Sequence, residues 1–275
     1  MTKLAPALAL HSGASIPTIG LGTWPLDDHE VEQMCLTAFE IGYRLIDTAE
    51  NYRNEAGVGK AVRESGLPRE DLFVTTKFNR EWHADAVAGV ELNLKTLDLE
   101  YADLVLIHWP NPDQDLYVRA WEGLIEARER GLVRAIGTSN FKPAHLSRLI
   151  DATGVVPDVN QIQCNPFADR TDERAFHAEH GIVTESWAPL AAGNGLVEHP
   201  EVEKLAAQRE ITPGQAVLAW HLQQGLVPIP KSANPERLAN NFGALDVELT
   251  DQDIAALSAL TNADYGIADS DQSGH

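Results

Sequence analysis

The chain has 275 residues, 44% of them hydrophobic and 23% charged, and its 41 acidic against 21 basic side chains leave a formal net charge of −20. Such a field disfavours nucleic acid and anionic membranes as partners and points to a soluble, freely diffusing protein. The length is ample for a full hydrophobic core. Cys35 and Cys164 stand far apart in unrelated stretches, so no disulfide framework or CxxC metal pattern arises, which fits a reducing cytoplasm and no metal. The opening MTKLAPALALHSG turns polar too early for a signal peptide, and no run approaches the roughly 20 apolar residues that span a bilayer.

Taken in order, Leu8, Leu10, the Ser12-Gly13 turn and Ile16 predict a small N-terminal β-hairpin. A rhythm follows, with short β-rich runs at 19–22, 43–46, 72–76, 104–107, 133–137, 159–162, 182–185 and 226–229. Amphipathic helical stretches separate them: Val87, Val90, Leu94 and Leu97 share one face, as do Trp121, Leu124 and Ile125, with Gly131 closing the second helix. Pro213 opens another helix at its first turn. Eight strands alternating with helices predict an α/β fold of the (β/α)8 barrel type, with extra helices at the C-terminal end and the whole of 1–275 as one domain. A doubly wound sheet also alternates, but Gly20-Leu21-Gly22-Thr23-Trp24-Pro25 lacks the GxGxxG spacing that fold places after its first strand.

Barrels carry their chemistry at the C-terminal ends of the strands. There this chain has, in order, Trp24, Asp47, Lys77, His108, Ser139-Asn140, Gln161, Trp187 and Lys231-Ser232, with Tyr52 five residues beyond Asp47. Phenol is a weak acid, with a pKa of about 10. A lysine ammonium nearby lowers that value, and an aspartate holding the lysine fixes its charge and position. Tyr52, Lys77 and Asp47 then make a proton donor for a developing alkoxide, with His108 hydrogen-bonding the carbonyl. Such acid catalysis needs an electron source. Asn140 and Gln161 could clamp an amide, the Trp187 indole could stack on a ring, and Lys231, Ser232 and Arg237 could hold a phosphate. Trp24, Trp109 and Trp82 flank the rim as pocket walls, whereas Trp121 and Trp220 read as core, and His83, His145, His177, His180 and His221 as surface or helix residues. A second role for Lys77 stays open, that of a Schiff-base lysine in a barrel aldolase.

The stretches GYRLIDTAENYRNE, LVLIHWP, GTSNF and IPKSANPERLANN resemble the aldo-keto reductases, in that family's order and over essentially the whole chain. Within it the chain looks most like prokaryotic reductases of 2,5-diketo-D-gluconate and similar small carbonyls. The resemblance implies a monomeric, cytoplasmic barrel that reduces a small aldehyde, ketone or keto sugar with NADPH and without a Rossmann domain. It makes Tyr52 the proton donor, Asp47 and Lys77 its tuning pair and His108 the orienting histidine. Ser139, Asn140 and Gln161 would hold the carboxamide, Trp187 would stack on the nicotinamide, and Pro189 and Leu190 would lie beside the pyrophosphate. Lys231, Ser232 and Arg237 would grip the 2′-phosphate, with Asn240 and Asn241 near the adenine. A cofactor-binding regulatory module without turnover is the alternative the resemblance allows. The chain departs from the common pattern at Trp187, where many relatives have Tyr, and at Gln163, Asn165 and Phe167. The short tail after Asn262 predicts a smaller and more open pocket.

Overall fold

The computed structural model describes residues 3–262, 264–272 and 274; Met1, Thr2, Ala263, Ser273 and His275 of the expected 1–275 unit lie outside the described residues. A hairpin of β1 (Ala7–Ala9) and β2 (Ser15–Pro17) leads into eight parallel strands, β3 (Gly20–Gly22), β4 (Leu45–Asp47), β5 (Phe73–Phe78) and β6 (Ala102–Ile107), then β7 (Val133–Ser139), β8 (Val159–Gln163), β9 (Val183–Trp187) and β10 (Val227–Pro228). Each pairs with the next in chain order, and a parallel bridge between Gly22 and Lys231 closes the ring. A closed parallel barrel whose outer wall is helical is the (β/α)8 fold the alternation predicts.

Helices α1 (Asp28–Ile41), α2 (Glu55–Glu64), α3 (Ala86–Leu97), α4 (Tyr117–Glu129), α5 (Pro143–Thr153) and α6 (Thr171–His180) follow β3 to β8 in turn. Then α7 (Pro200–Arg209) and α8 (Pro213–Gln223) follow β9, α9 (Pro235–Phe242) follows β10, and α10 (Asp251–Ser258) is added at the C-terminal end. Of the extra helices, therefore, only α10 is C-terminal; α7 is inserted before α8. Capping signals are honoured locally: Asp27 and Glu30 form a reciprocal box at α1, and Asn234 Oδ1 accepts from the Arg237 backbone at the start of α9.

Both faces of the strands are covered, so β5 and β6 are buried at every residue. Period-two alternation then sorts the side chains. Ile46, Val74, Val105 and Ile136 face the helices. Leu45, Phe73, Leu104, Leu106, Ala135, Val159 and Val227 fill the lower interior, where Leu10 and Ile16 of the hairpin plug the bottom. Continuing each inward row toward the C-terminal end changes its chemistry: Leu45 gives way to Asp47, Phe73 to Lys77, Leu106 to His108, Val159 to Gln161 and Val183 to Glu185. At the seam the backbones come very close. A Cβ on Gly22 would lie 2.7 Å from the Ile229 carbonyl oxygen, so only glycine fits there.

The tail folds back over the rim. Gln163 donates to Tyr265 and Gly266 and accepts from the Ala268 amide, Asn165 donates to Tyr265, and the Phe167 ring lies 5.8 Å from that of Tyr265. Lys142 meets Asp269 and Asp271. Three of the four positions at which the chain departs from the common pattern, Gln163, Asn165 and Phe167, are thus where its tail docks.

Candidate active site

Lys77, fully buried, donates from Nζ to both carboxylate oxygens of Asp47 at 2.8 Å, to the Thr48 carbonyl at 2.8 Å and to the Tyr52 hydroxyl at 3.4 Å. Tyr52 reaches this point from a 3-10 turn (Glu50–Tyr52) that begins three residues after β4. Its ring is half-buried with the hydroxyl directed inward, and the Lys77 ammonium lies 4.9 Å from the ring centre. His108, only 6% exposed, presents its ring edge-on to Tyr52 at 5.8 Å between centroids. The four residues expected to act together are together.

Their electrostatics correct one expectation. Burial pushes the Tyr52 phenol above its ordinary value, with Asp47 and Glu185 adding to the rise, and the downward pull of Lys77 does not cancel it. Burial by itself would lower Lys77, but Asp47, Tyr52 and Glu185 together hold it above the usual lysine value, so it stays charged. Glu185 is a site residue absent from the sequence expectations. It sits in the middle of β9, beside Gln161 on β8, with its carboxyl wholly inside the barrel. Burial, then the Asp47 charge, pushes it up to about 8, and its Oε1 has no hydrogen-bond partner among the described residues. The signal was a charged residue at an inward position of a strand otherwise reading as core.

Gln161 donates from Nε2 to Asp47 at 2.8 Å and to Glu185 at 2.7 Å. Both amide hydrogens are thereby taken, and what Gln161 can offer a ligand is its carbonyl oxygen, an acceptor. Asn140, held in the left-handed region at φ 64°, donates to the His108 carbonyl and to Ser139 Oγ, while its own oxygen accepts from the Trp187 indole at 2.9 Å. Asn140 therefore aims the half-buried Trp187 ring. Ser139 Oγ donates to the Gln161 carbonyl.

Past Trp187 the backbone is strained, with Ala188, Ala191 and Ala192 at φ 47°, 58° and 50°, and Pro189 half-buried beside half-buried Leu190. Lys231, Arg237 and Asn240 are exposed, whereas Ser232 and Asn241 are buried. Among the described residues neither Lys231 nor Arg237 forms an ion pair, in a chain with twice as many acids as bases. Trp109 is buried, Trp82 half-buried with its indole N–H on Glu50, and Trp24 62% exposed beside the open rim. A cleft of about 600 Å³ lined by Arg174, Ala178, Ile182 and Leu226 opens elsewhere, at the start of β9, and contains none of these groups.

The histidine expectations need correction. His83, His145, His177 and His221 are buried, and burial lowers all four. His177 is bound by Asn160 and Thr184, and His221 lies 3.3 Å from the Pro189 carbonyl. They are neutral packing elements: His145, His177 and His221 lie on helices, as expected, but on the faces turned to the barrel wall, and His83 is enclosed in the turn after β5.

Among known proteins, the chain is 44% identical over 258 residues to methylglyoxal reductase DkgA of Yersinia pestis, spanning 94% of this chain and 93% of that one. It is 42% identical to an aldo-keto reductase of Mycolicibacterium smegmatis over 94% of both chains. Gox0644, solved as a mutant in complex with NADPH, superposes with a TM-score of 0.94 at 38% identity, over 99% of this chain and 100% of that one. The model of the Aldo/keto reductase family matches residues 18–262, and the chain belongs to that family.

Proposed function

We propose that the chain reduces a small carbonyl compound with NADPH, Tyr52 supplying the proton. The observation that carries this is the Lys77 ammonium shared between Asp47 and the Tyr52 hydroxyl. Family membership makes the chain an NADPH-dependent oxidoreductase, and two structural neighbours at 38% and 34% identity are described with NADPH or NADP bound. The residues present suit that cofactor: two cations without ion pairs among the described residues, Lys231 and Arg237, flank the start of α9 and match a phosphate, and the acceptor on Gln161 matches a carboxamide N–H.

When bound, NADPH supplies the hydride. The chain's own groups do the rest. Tyr52 donates from its hydroxyl to the carbonyl oxygen and releases the proton as negative charge develops there. A phenol pushed above its ordinary value stays protonated across the neutral range, so Tyr52 holds its proton until negative charge develops on the carbonyl oxygen. Lys77 stabilises the phenolate left behind, and Asp47 keeps Lys77 charged and aimed. Ser139, Asn140 and Gln161 position the carboxamide end, Asn140 by holding Trp187 as a stacking face. Pro189 and Leu190 flank the pyrophosphate, Lys231, Ser232 and Arg237 take the 2′-phosphate, and Asn240 and Asn241 border the adenine. Trp24, Trp82, His108 and Trp109 wall the substrate.

Relatives named methylglyoxal reductases support a small α-dicarbonyl as substrate; the motif resemblance adds keto sugars and a single monomeric barrel domain in the cytoplasm. The aldolase reading needs a neutral Lys77 amine, and its three acceptors hold it charged. The test is NADPH oxidation across a panel of dicarbonyls, keto sugars, aldoses and aromatic aldehydes, with Tyr52→Phe as control. Methylglyoxal or a keto sugar should lead the panel, and Tyr52→Phe should lower kcat by about 10²–10⁴ without weakening NADPH binding. Retention of more than about a tenth of kcat removes Tyr52 from the role.

A further inference from the structure

We propose that Glu185 holds a proton inside the barrel and that this proton sets which redox form of the cofactor the site favours. Protonated, Glu185 leaves the interior uncharged and suits NADPH. Ionised, it places a negative charge there and suits NADP⁺.

Val183, Glu185 and Trp187 form one inward row of β9, and Glu185 stands in register with Gln161 on β8. Its partner on the other side, Val227 of β10, is apolar. The titratable groups that face it are Asp47 of β4, Lys77 of β5 and Tyr52 of the turn after β4. Gln161 Nε2 donates to Asp47 at 2.8 Å and to Glu185 Oε2 at 2.7 Å, so one amide nitrogen ties the two carboxyl groups together. Among the described residues Lys77 is the cation that faces this pair, and it meets both oxygens of Asp47 and neither of Glu185. Two carboxyl groups that share one donor and one cation do not both ionise cheaply. Asp47 keeps the charge because it keeps the lysine. Glu185 keeps the proton, and the accepting contact at Oε2 leaves the hydrogen on Oε1, the oxygen without a partner among the described residues. Burial, then the Asp47 charge, pushes the Glu185 carboxyl up to about 8, in line with that count.

The consequence reaches the cofactor. With Glu185 protonated, Lys77 and Asp47 cancel and the interior is neutral. As pH rises through about 8, the same interior gains one negative charge. In the function proposed above, on which this half of the inference rests, Gln161 and Trp187 hold the nicotinamide. That ring is uncharged in NADPH and positively charged in NADP⁺. Glu185 touches Gln161 directly and lies two residues before Trp187 on one strand, roughly 7 Å along it. Inside a protein a unit charge acts strongly over such a distance. Binding of NADP⁺ near the midpoint therefore releases the Glu185 proton to water, and binding of NADPH leaves it in place. Glu185 touches no reacting atom. It is a positioning residue, acting by its charge and through Gln161.

Infrared spectra of the cofactor-free protein, its glutamates labelled with ¹³C at the side-chain carboxyl, read the proton without turnover. Glu55 holds a second buried carboxyl, raised to about 7, so the spectra are recorded in Glu55→Gln, which leaves Glu185 native. A protonated-carboxyl C=O band should stand at neutral pH, fade as pH passes about 8 and vanish when Glu185→Gln is added. Absence of the band at neutral pH overturns the proposal, whatever the enzyme reduces. Fluorescence titration of wild type with NADP⁺ and with NADPH then tests the coupling. The 2′-phosphate is common to both, so its own titration cancels in the ratio of their dissociation constants. Between about pH 6.5 and 9.5 that ratio should move about fivefold or more in favour of NADP⁺, the scale of a modest coupling between two sites. Glu185→Gln should flatten the movement. A ratio that stays fixed in wild type, or a movement that survives Glu185→Gln, overturns the coupling. Failure of both nucleotides to bind would strike the cofactor reading and the coupling with it, while the infrared band still decides where the proton sits.

Discussion

At the Tyr52 side of the rim, Lys77 is fully buried, its ammonium is matched by Asp47 and the Thr48 carbonyl, and Asp47 is matched again by Gln161. At the Lys231 side, two cations stand exposed, without an ion pair among the described residues. The first region is assembled by folding and waits for nothing. The second leaves its charges to solvent. A buried charge must be paired within the fold because water cannot solvate it, whereas an exposed guanidinium stays hydrated and available at little cost. In the function proposed, proton delivery would be a property of the folded barrel, and cofactor selection a property of its surface.

Lys77→Met should give the largest break in this contrast. It strips the ammonium from Tyr52 and leaves the Asp47 carboxylate buried with Gln161 as its remaining partner. kcat should fall by about 10²–10⁴, and the uncompensated charge should cost roughly 3–5 kcal/mol of stability, read together by stopped-flow reduction and thermal unfolding. NADPH affinity should move little. A variant that unfolds no earlier than wild type would mean Asp47 is not held as a charge by Lys77.

Arg237→Ala sits next in magnitude and acts on the other region alone. NADPH binding should weaken about ten- to a hundredfold, corresponding to roughly 1.5–3 kcal/mol for a charge-assisted contact, while NADH binding and kcat stay near wild type. Fluorescence titration of both cofactors decides it, and equal losses for the two would detach Arg237 from the phosphate.

The smallest effect lies behind the proton-delivery wall. Glu55 accepts from Thr76 and Asn93, and Asn93 also donates to the Lys77 carbonyl. Burial raises the Glu55 carboxyl to about 7, against the downward pull of those two hydrogen bonds. The folded chain thus holds a proton that the unfolded chain releases from about 4.5 upward, the ordinary glutamate value. Stability from this group is complete below that pH and is lost as pH rises through about 7. Glu55→Gln keeps the shape without the titration, so its melting temperature should exceed wild type by several degrees at pH 8 and match it near pH 4.5. Parallel curves for the two proteins would place Glu55 in water.

The barrel was legible because each strand ends in a change of chemistry that survives errors of one or two residues. The sequence pattern places Tyr43 in the second barrel strand, yet β4 starts at Leu45 and the Tyr43 phenol donates to the Leu238 carbonyl. The last strand shrank to Val227–Pro228, since Pro228 and Pro230 cannot donate to a ladder. Asp47, Lys77 and His108 were legible as the ends of inward rows. Glu185 was not, because the rim position on that strand falls to Trp187 and a charge two residues earlier, in the middle of β9, shows its inward direction only in the barrel. The bond between Asn79 and His108, 29 positions apart, joins neighbouring strands and leaves no local pattern.

Lys231, proposed above for the cofactor phosphate, also belongs to the ring itself, for its backbone bridges Gly22 where the first and last strands meet. That seam is the thinnest part of the cylinder, a two-residue strand against a three-residue one. Few ladder hydrogen bonds make such a seam a place for local opening, and its amide hydrogens are expected to exchange before those of the long central strands. A dinucleotide gripping Lys231 from outside would hold the hoop shut at the place where it springs, so its binding energy would be returned as slower breathing of the whole cylinder. With that contact formed, the cofactor would act as a clasp as well as a reagent, and the cofactor-free chain would be the form that proteases meet open.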